Sequence, residues 1–160
     1  MSTMSSIKRF IADDMVGKLA RFVRLLGYDC VYQKGIEDKH LIERALVDDR
    51  IILTRDTRLV EMVLAKKYLL IESDDPEIQL RQVISDCGLK IDPGSILARC
   101  LVCNQRLEDI EKSEVAERVW PYVYRTQEEF KICPECERIY WEGTHVEAIK
   151  KRLRNWGVID

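Results

Sequence analysis

Two C-x-x-C motifs near the end of this 160-residue chain restrict its fold more than any other sequence feature. They are Cys100-Leu-Val-Cys103 and Cys133-Pro-Glu-Cys136. Each motif puts two thiols on one tight turn, and two facing turns supply the tetrahedral sulfur set that structural zinc prefers. We therefore predict one structural zinc ion on these four cysteines. Four thiolates leave no position for water, so a catalytic zinc would require His145 to replace one of them.

The surrounding sequence favours this metal site over disulfide bonds. No apolar run reaches the roughly 18 to 20 residues that span a bilayer, and the opening residues lack the apolar stretch of a signal peptide. We expect a cytoplasmic protein with no membrane partner, in which thiols stay reduced. Cys30 and Cys87 lie among apolar neighbours and are expected to be small buried hydrophobes.

Composition sets further limits on the class of protein. With 46% hydrophobic and 34% charged residues, the chain is globular rather than disordered or collagen-like. The formal net charge of -2 argues against a protein that binds nucleic acid through overall charge alone, because such proteins carry a large basic excess. A local basic patch remains compatible with this charge.

Up to about residue 88, short apolar runs alternate with helical patterns, and Asp, Gly or Pro marks each change. Gly27 is a helix stop signal, and Asp75 before Pro76 is an N-cap followed by the favoured first-turn residue. Strict alternation implies an α/β fold with a parallel sheet and right-handed crossovers. The pattern predicts strands at 7–12, 28–32, 50–54 and 68–72, and helices at 15–26, 38–47, 57–65 and 76–86.

The segment 88–95 interrupts this alternation with an Asp-Pro-Gly sequence just before the first cysteine motif. We place a domain boundary there, which divides the chain into a domain at 1–92 and a zinc-binding module at 93–160. The long stretch between the two motifs, 104–132, needs structure of its own. We predict a short helix near 113–118 and a strand near 122–125.

Aromatic and basic residues follow the second motif. Trp141 and His145 precede a helical pattern at 146–156, whose cations are Lys150, Lys151, Arg152 and Arg154. Aromatic side chains beside a basic helix suit stacking on bases and contact with phosphates. Alternatively, Trp141 packs on the metal-binding turn and the cations form a solvated face. The sequence leaves both interpretations open.

Acidic residues follow each predicted strand, where ligands of open parallel sheets gather. They are Asp13 and Asp14 after the first strand, Asp38 after the second, Asp56 after the third, and Asp74 and Asp75 after the fourth. Carboxylates that converge in one crevice raise each other's pKa unless a cation lies among them, and oxygen ligands select Mg²⁺ or Mn²⁺. Asp29, Asp48 and Asp49 fall at the opposite strand ends and are not expected to take part.

Helix capping is the alternative role for these acids, because Asp is a favoured N-cap and each of them precedes a helical pattern. For Asp75, beside Pro76, capping is the better interpretation, and Asp14 is an equally good cap for the first helix. Lys18, Arg21 and Arg24 recur at a three-residue step on that helix and form a cationic stripe suited to phosphates. A solvated face is the alternative for the stripe.

Taken in order, these motifs resemble a known family. The chain reads Phe10-Ile-Ala-Asp-Asp-Met-Val-Gly-Lys-Leu-Ala-Arg21, then Leu53-Thr-Arg-Asp56, Cys100-x-x-Cys103-Asn104, and Cys133-x-x-Cys136 through Tyr140-Trp141-x-Gly143-x-His145. Nearly its whole length resembles the Mut-seven C-terminal ribonuclease domain family. The resemblance implies a PIN-like three-layer α/β domain with a parallel sheet, followed by a small zinc ribbon.

The resemblance also implies metal-dependent cleavage of RNA, with Asp13, Asp38 and Asp56 as catalytic ligands of Mg²⁺ or Mn²⁺. The products should carry a 5′ phosphate and a 3′ hydroxyl. PIN nucleases commonly use a further acid, and here that role falls to Asp14, Asp74 or Asp75, or to none. The candidate substrate-binding residues are Lys18, Arg21, Arg24, Arg55, Trp141 and His145.

Two rival interpretations come from other classes. A phospho-receiver domain also shows an acidic pair after the first strand and an Asp after the third, but it needs a Lys-Pro after a fifth strand, and the sequence has none. A noncatalytic zinc-ribbon adaptor for RNA or protein would carry no divalent metal at Asp13, Asp38 and Asp56. A bound Mn²⁺ ion at the strand ends would separate the nuclease from the adaptor.

Overall fold

The chain folds into two compact units in the computed structural model, which describes residues 7–63 and 67–160. One unit comprises Met1–Val23 and Tyr28–Leu89, and the other comprises Arg24–Gly27 and Lys90–Asp160. The first contains a parallel sheet with helices and the second a small antiparallel sheet, so the predicted fold class is confirmed. None of the described helices is long and apolar enough to cross a membrane.

The first unit is built on a four-stranded parallel sheet in the order β2-β1-β3-β4. Its strands are β1 Phe10–Ala12, β2 Cys30–Tyr32, β3 Ile51–Thr54 and β4 Tyr68–Leu70. All four lie inside the predicted ranges but are shorter. Every residue of β1 is buried, as expected for one of the two strands that have a neighbour on both sides.

Four helices follow the strands in strict alternation. They are α1 Gly17–Leu25, α2 Asp38–Val47, α3 Thr57–Met62 and α4 Pro76–Asp86. A 3-10 turn at Asp14–Val16 precedes α1, so the predicted start of that helix is a tighter turn. Asp75 caps α4 by accepting from the N–H groups of Glu77 and Ile78, which confirms its structural role. The predicted helix at 57–65 extends outside the described residues.

Apolar side chains of the sheet and helices form the core that fixes the strand ends. Ile11 and Ile52, on neighbouring strands, pack with Leu41 of α2 and Leu59 of α3, and none of the four is more than 1% exposed. Cys30 and Cys87 are buried as predicted. Burial of Leu-sized side chains contributes about 1.5–3 kcal/mol each, so α2 and α3 are held firmly at the positions from which Asp38 and Asp56 project.

The strand order creates a reversal at β1. The chain moves from β1 to β2 on one side and then crosses to β3 on the other. In open α/β sheets, ligands bind outside the carboxyl ends of the strands at such a switch point. Asp13 follows β1 and Asp56 follows β3, so both lie beside this point.

The second unit contains a three-stranded antiparallel sheet in the order β5-β6-β7. Its strands are β5 Glu108–Ile110, β6 Phe130–Ile132 and β7 Ile139–Tyr140, and its helices are α5 Pro121–Thr126 and α6 Thr144–Asn155. The second cysteine motif is the turn of the β6-β7 hairpin. There, Cys133 N–H donates to the Arg138 carbonyl at 3.0 Å, and Glu137 N–H donates to the Cys133 carbonyl at 2.8 Å.

Two expectations for the segment between the motifs were wrong. The predicted strand near 122–125 lies within helix α5, because Trp120 is extended and Pro121 then occupies the first helical position, where proline is favoured. The predicted helix near 113–118 is only a 3-10 turn at Lys112–Glu114. Its turn ends where the N–H of Val115 donates to the carbonyl of Lys112.

Candidate functional site

Asp13 is the most buried of the predicted catalytic acids, with 6% of its surface exposed. The extended conformation of β1 ends at this residue, and its backbone N–H donates to the carbonyl of Leu53 on β3 at 3.0 Å. One carboxylate oxygen accepts from the N–H of Met15 at 2.9 Å and so caps the 3-10 turn. The other accepts from the hydroxyl of Thr54. Asp13, not Asp14, is therefore the cap at this position.

Thr54 joins the two strand ends through its fully buried hydroxyl. The hydroxyl donates to Asp13 and accepts from the backbone N–H of Asp56 at 2.9 Å. Asp56 in turn caps α3 by accepting from the N–H of Arg58 at 2.8 Å through one carboxylate oxygen. The capping bond therefore uses one carboxylate oxygen of Asp56 and orients the side chain, and the second oxygen takes no part in the cap.

Asp38 is exposed at the first position of α2. The N-cap of that helix is Glu37, which makes no side-chain capping bond. Asp38 is therefore not the cap, and its negative charge lies in the first turn, where the helix dipole stabilises it. Its carboxylate is presented to solvent at the end of β2.

The three acids are coupled through their charges. Burial raises the pKa of Asp13 above its ordinary value, and the charges of Asp56 and then Asp38 raise it further, against the hydrogen bonds from Thr54 and Met15. No three carboxylates in the described part of the chain bring their oxygens within 4.8 Å of one another, so the structure does not draw Asp13, Asp38 and Asp56 into one compact metal-binding group. Their chemistry is that of hard oxygen donors, which suit Mg²⁺ or Mn²⁺, and a nearby positive charge would favour the ionised form of Asp13.

The remaining strand-end acids differ from this group. Asp14 is exposed, and its carboxylate accepts from the N–H of Gly35 at 3.0 Å. Asp75 is committed to capping α4. Asp74 is exposed in the turn before that cap.

The acids at the amino ends of the strands form ion pairs, and in this they differ from Asp13, Asp38 and Asp56 at the carboxyl ends. Asp29 pairs with the buried Arg50 at 2.7 Å, and Asp48 pairs with the same guanidinium at 3.4 Å. Asp49 pairs with Lys67, whose hydrogen bond and charge lower the pKa of that carboxyl. These three acids have cationic partners and need no metal.

The predicted cations are placed differently from one another. Lys18 and Arg21 are exposed on α1. Arg24 is only 5% exposed and donates to the carbonyls of Leu101 at 2.9 Å and Val102 at 3.2 Å, so it does not extend the exposed stripe. Burial of a guanidinium requires such partners, and the carbonyls of a tight turn supply them.

Arg55 lies between Thr54 and Asp56 at the end of β3. Its Nε is buried and has no hydrogen-bond partner among the described residues. A buried donor without a partner is costly, roughly 1–3 kcal/mol, and the described residues supply no acceptor for this Nε.

The four cysteines of the second unit form one compact group. Their sulfurs all lie within 4.8 Å of one another, and Cys100 and Cys136 approach to 3.7 Å. Cys100 and Cys133 are buried, while Cys103 and Cys136 are half-buried. Four sulfurs at this separation fit a tetrahedral zinc ribbon.

Neighbouring groups affect the four thiols differently. A hydrogen bond with Cys136 is the main cause that raises the pKa of Cys103, to about 12, and burial raises the pKa of Cys133. The backbone N–H of Arg138 is the main group that lowers the pKa of Cys136, to about 6, and its guanidinium contributes. The N–H of Cys103 donates to the sulfur of Cys100 at 3.3 Å. The hydroxyl of Tyr140 accepts from the N–H of Leu101 at 3.1 Å and lies 3.1 Å from the Cys100 sulfur, to which it can donate. Such outer contacts orient metal ligands.

Trp141 and His145 both border one cavity in the second unit. Trp141 is half-buried and its ring centroid lies 6.3 Å from that of Phe130, whereas His145 is exposed in the first turn of α6. Both residues line a mostly apolar cavity of about 380 Å³. Packing of Trp141 therefore does not remove it from the surface.

The sequence patterns assign no role to Thr54 or Arg138. Thr54 is the polar residue that ends the apolar run of β3 and precedes the charged residues Arg55 and Asp56, so its position does mark it as a candidate. Arg138 follows the second cysteine motif by two residues, but no sequence pattern shows that its N–H would face a thiol.

The chain combines a parallel α/β domain that has acids at its switch point with a tetracysteine ribbon. The family comparison specifies its class, because the Mut7-C RNAse domain model matches residues 8–153. The chain therefore belongs to the Mut7-C RNAse domain family, as its resemblance implied, and has a ribonuclease-related role with RNA as the implied substrate. No curated protein and no solved structure matches the chain.

Proposed function

We propose that this protein is a metal-dependent ribonuclease that hydrolyses phosphodiester bonds of single-stranded RNA, with Asp13, Asp38 and Asp56 holding Mg²⁺ or Mn²⁺. The observation that carries the proposal is the placement of Asp13 and Asp56 at the carboxyl ends of β1 and β3, where the hydroxyl of Thr54 bonds to both residues and where ligands of open parallel sheets bind. The raised pKa of the buried Asp13 supports it, because perturbed carboxyl groups are common at functional sites. Membership of an RNAse domain family supports the same conclusion.

The proposed chemistry assigns a distinct task to each part of the site. A bound divalent cation lowers the pKa of water and neutralises charge on the scissile phosphate. Asp13 and Asp56 are oriented by Thr54 and by their helix-capping bonds, so little reorganisation is needed when they act as ligands. Asp38 contributes a third carboxylate from the end of β2. The unpaired Nε of Arg55 is a candidate donor to a phosphate oxygen.

The proposed RNA contacts outside the acidic group are Lys18, Arg21, Trp141 and His145. Lys18 and Arg21 are exposed cations on one helix, which suits contact with consecutive phosphates. Trp141 and His145 border an apolar cavity large enough for one base, and aromatic stacking binds bases with little sequence preference. We assign zinc to the four cysteines as a structural ion.

The test of this function is cleavage of an end-labelled single-stranded RNA by purified protein. We expect cleavage with Mn²⁺ or Mg²⁺, none with EDTA, and fragments that carry a 5′ phosphate and a 3′ hydroxyl. Because excess EDTA can also remove zinc, the zinc content of the treated protein must be measured. Cleavage that persists without a divalent ion, or absence of cleavage under every metal condition, would reject the proposal. The second result would favour a noncatalytic adaptor.

Neutralising the cations of α1 should weaken RNA binding while leaving the chemical step in place. For the double variant Lys18→Gln with Arg21→Gln, we expect KM to rise about tenfold, while kcat at saturating RNA stays within about twofold of wild type. The slope of log binding constant against log salt concentration should become shallower by about two, as expected for the loss of two phosphate contacts. Fluorescence anisotropy over a salt series and steady-state kinetics measure these effects. Arg44→Gln, an exposed cation in the last turn of α2, is the matched control. An unchanged salt slope would mean that RNA does not follow α1.

A further inference from the structure

The carboxylate of Asp14 connects two neighbouring strand ends. Its Oδ1 accepts from the N–H of Gly35 at 3.0 Å and lies 3.4 Å from the hydroxyl of Tyr32. That hydroxyl also lies 3.3 Å from the backbone carbonyl of Asp14 and can donate to either oxygen. Because Ala12 and Tyr32 are partners in the β1-β2 register, these contacts span the gap between the two strands just beyond their last paired residues.

The segment contacted by Asp14 leads directly into Asp38. It runs over residues 33–37 and turns at Gly35, whose φ of +76° is the left-handed conformation that glycine adopts readily. The N–H of Ile36 donates to the carbonyl of Gln33 at 3.2 Å, and Ile36 packs against the core. The following N-cap, Glu37, makes no side-chain capping bond. Asp14 thus fastens the turn three residues before the acid.

We propose that Asp14 is a positioning residue that holds the 33–37 loop, and with it the first turn of α2 that carries Asp38, and that it is not a fourth metal ligand. This inference rests on the proposed function, because it concerns the same acidic site. The contacts favour a positioning role, because Asp14 Oδ1 accepts the N–H of Gly35 and so ties the end of β1 to the loop that leads into Asp38. Asp14 links the two segments that carry Asp13 and Asp38.

Two substitutions at Asp14 separate the roles of hydrogen bond and charge. Asp14→Ala removes the acceptor for Gly35 and should raise the Mn²⁺ concentration for half-maximal cleavage about tenfold, as expected for a group that orients a ligand. The kcat at saturating Mn²⁺ should stay within about twofold of wild type. Asp14→Asn keeps an amide oxygen for the Gly35 N–H and should restore the wild-type requirement within about twofold. Glu43→Ala, an exposed acid on α2, is the matched control.

The experiment uses full-length protein and two readouts that do not depend on cleavage. Direct Mn²⁺ binding, followed by electron paramagnetic resonance of the free ion, should show the same tenfold loss in Asp14→Ala. In metal-free Asp14→Ala, the backbone amides of residues 33–37 should exchange hydrogen faster than in wild type, whereas in Asp14→Asn they should exchange at the wild-type rate. Exchange in β1 and β3 should be unchanged in both variants. This pattern would distinguish loosening of one loop from general unfolding.

Two results would overturn the inference. Equal Mn²⁺ affinity and loop exchange in Asp14→Ala and wild type would mean that Asp14 holds nothing. Loss of Mn²⁺ binding in Asp14→Asn as large as in Asp14→Ala would mean that its charge matters, as for a metal ligand. If wild type neither binds Mn²⁺ nor cleaves RNA, the proposed function fails and the metal part of this inference fails with it. Loop exchange in that case still decides whether Asp14 fastens residues 33–37.

Discussion

Asp13→Asn and Asp56→Asn are each expected to reduce Mn²⁺-dependent cleavage of single-stranded RNA by more than about 100-fold, since even outer-shell partners of metal ligands contribute 10–100-fold. Asparagine has nearly the volume of aspartate and keeps one oxygen for the capping bond to Met15 or Arg58. The substitution therefore removes the negative charge and one ligand oxygen with little change in packing. Initial rates on a labelled strand, with wild type and variants purified identically, measure the effect.

Asp49→Asn is the matched control for this pair. Asp49 precedes β3, at the opposite end of the strand from Asp56, and it is ion-paired with Lys67. The φ of Asp49, 55°, is a conformation that asparagine also tolerates. The Asp49→Asn variant should therefore cleave RNA at the wild-type rate. Asp38→Asn should lose activity as Asp13→Asn does. Equal cleavage by wild type and Asp56→Asn would reveal a contaminating nuclease or a different active site.

Stability distinguishes a functional Asp13 from a purely structural one. Because its folded-state pKa is raised above the ordinary 3.8, its contribution to stability is present in full below pH 3.8 and is lost as the pH rises through the folded-state pKa. At pH 7, ionised Asp13 therefore destabilises the metal-free fold. Asp13→Asn should melt no lower than wild type at pH 7, and any advantage should shrink toward pH 4. A cap that served stability alone would instead lose about 1 kcal/mol on substitution, with cleavage retained.

The sequence predicts the scaffold of the acidic site well, for an identifiable reason. Each strand is a short apolar run that ends at a polar residue, so the position of Asp13 after Phe10–Ala12 and of Asp56 after Ile51–Thr54 follows from local pattern alone. Parallel pairing then brings the carboxyl ends to one edge. The prediction needs no knowledge of side-chain contacts, because it depends on strand direction.

Side-chain roles were harder to predict, because they depend on contacts between residues distant in sequence. Helical periodicity alone places Arg24 on a stripe with Lys18 and Arg21, but Arg24 donates to carbonyls 77 and 78 residues away. Thr54 bonds to an acid 41 residues earlier, and Asp14 to a glycine 21 residues later. Each arrangement follows from the pairing of strands or the folding of a turn, which sequence spacing does not encode.

The segment between the cysteine motifs illustrates a different limit. Tyr122, Val123 and Tyr124 have high strand propensity, which suggested a strand, yet Pro121 begins a helix there. The propensity scale reflects packing on a pleated, half-buried surface, whereas Tyr122 is 68% exposed. Tertiary context therefore decides the conformation of this short apolar run.

Loss of zinc is expected to unfold the second unit while the parallel sheet of the first persists. The strands of the second unit are only two or three residues long, so the sheet alone is a weak scaffold, and the four sulfurs join its hairpin to the turn at Cys100–Cys103. Structural zinc contributes roughly 10–16 kcal/mol of apparent binding free energy in small domains, far more than such strands can supply. Cys133→Ser should therefore abolish zinc binding and the cooperative melting of this unit.

The tryptophans make this prediction directly measurable. Trp120, Trp141 and Trp156 account for all three tryptophans of the chain and all lie in the second unit. Trp120 is already 78% exposed, so a red shift in emission on zinc removal would come mainly from Trp141, which packs near Phe130, and from Trp156. Far-ultraviolet circular dichroism should meanwhile retain the helical signal of the first unit, and metal analysis should give one zinc per chain in wild type. Cys87→Ala, a buried cysteine outside the cluster, should keep the zinc and the emission. Purified, reduced wild type without zinc, or Cys133→Ser with unchanged zinc content and melting, would refute the structural zinc site.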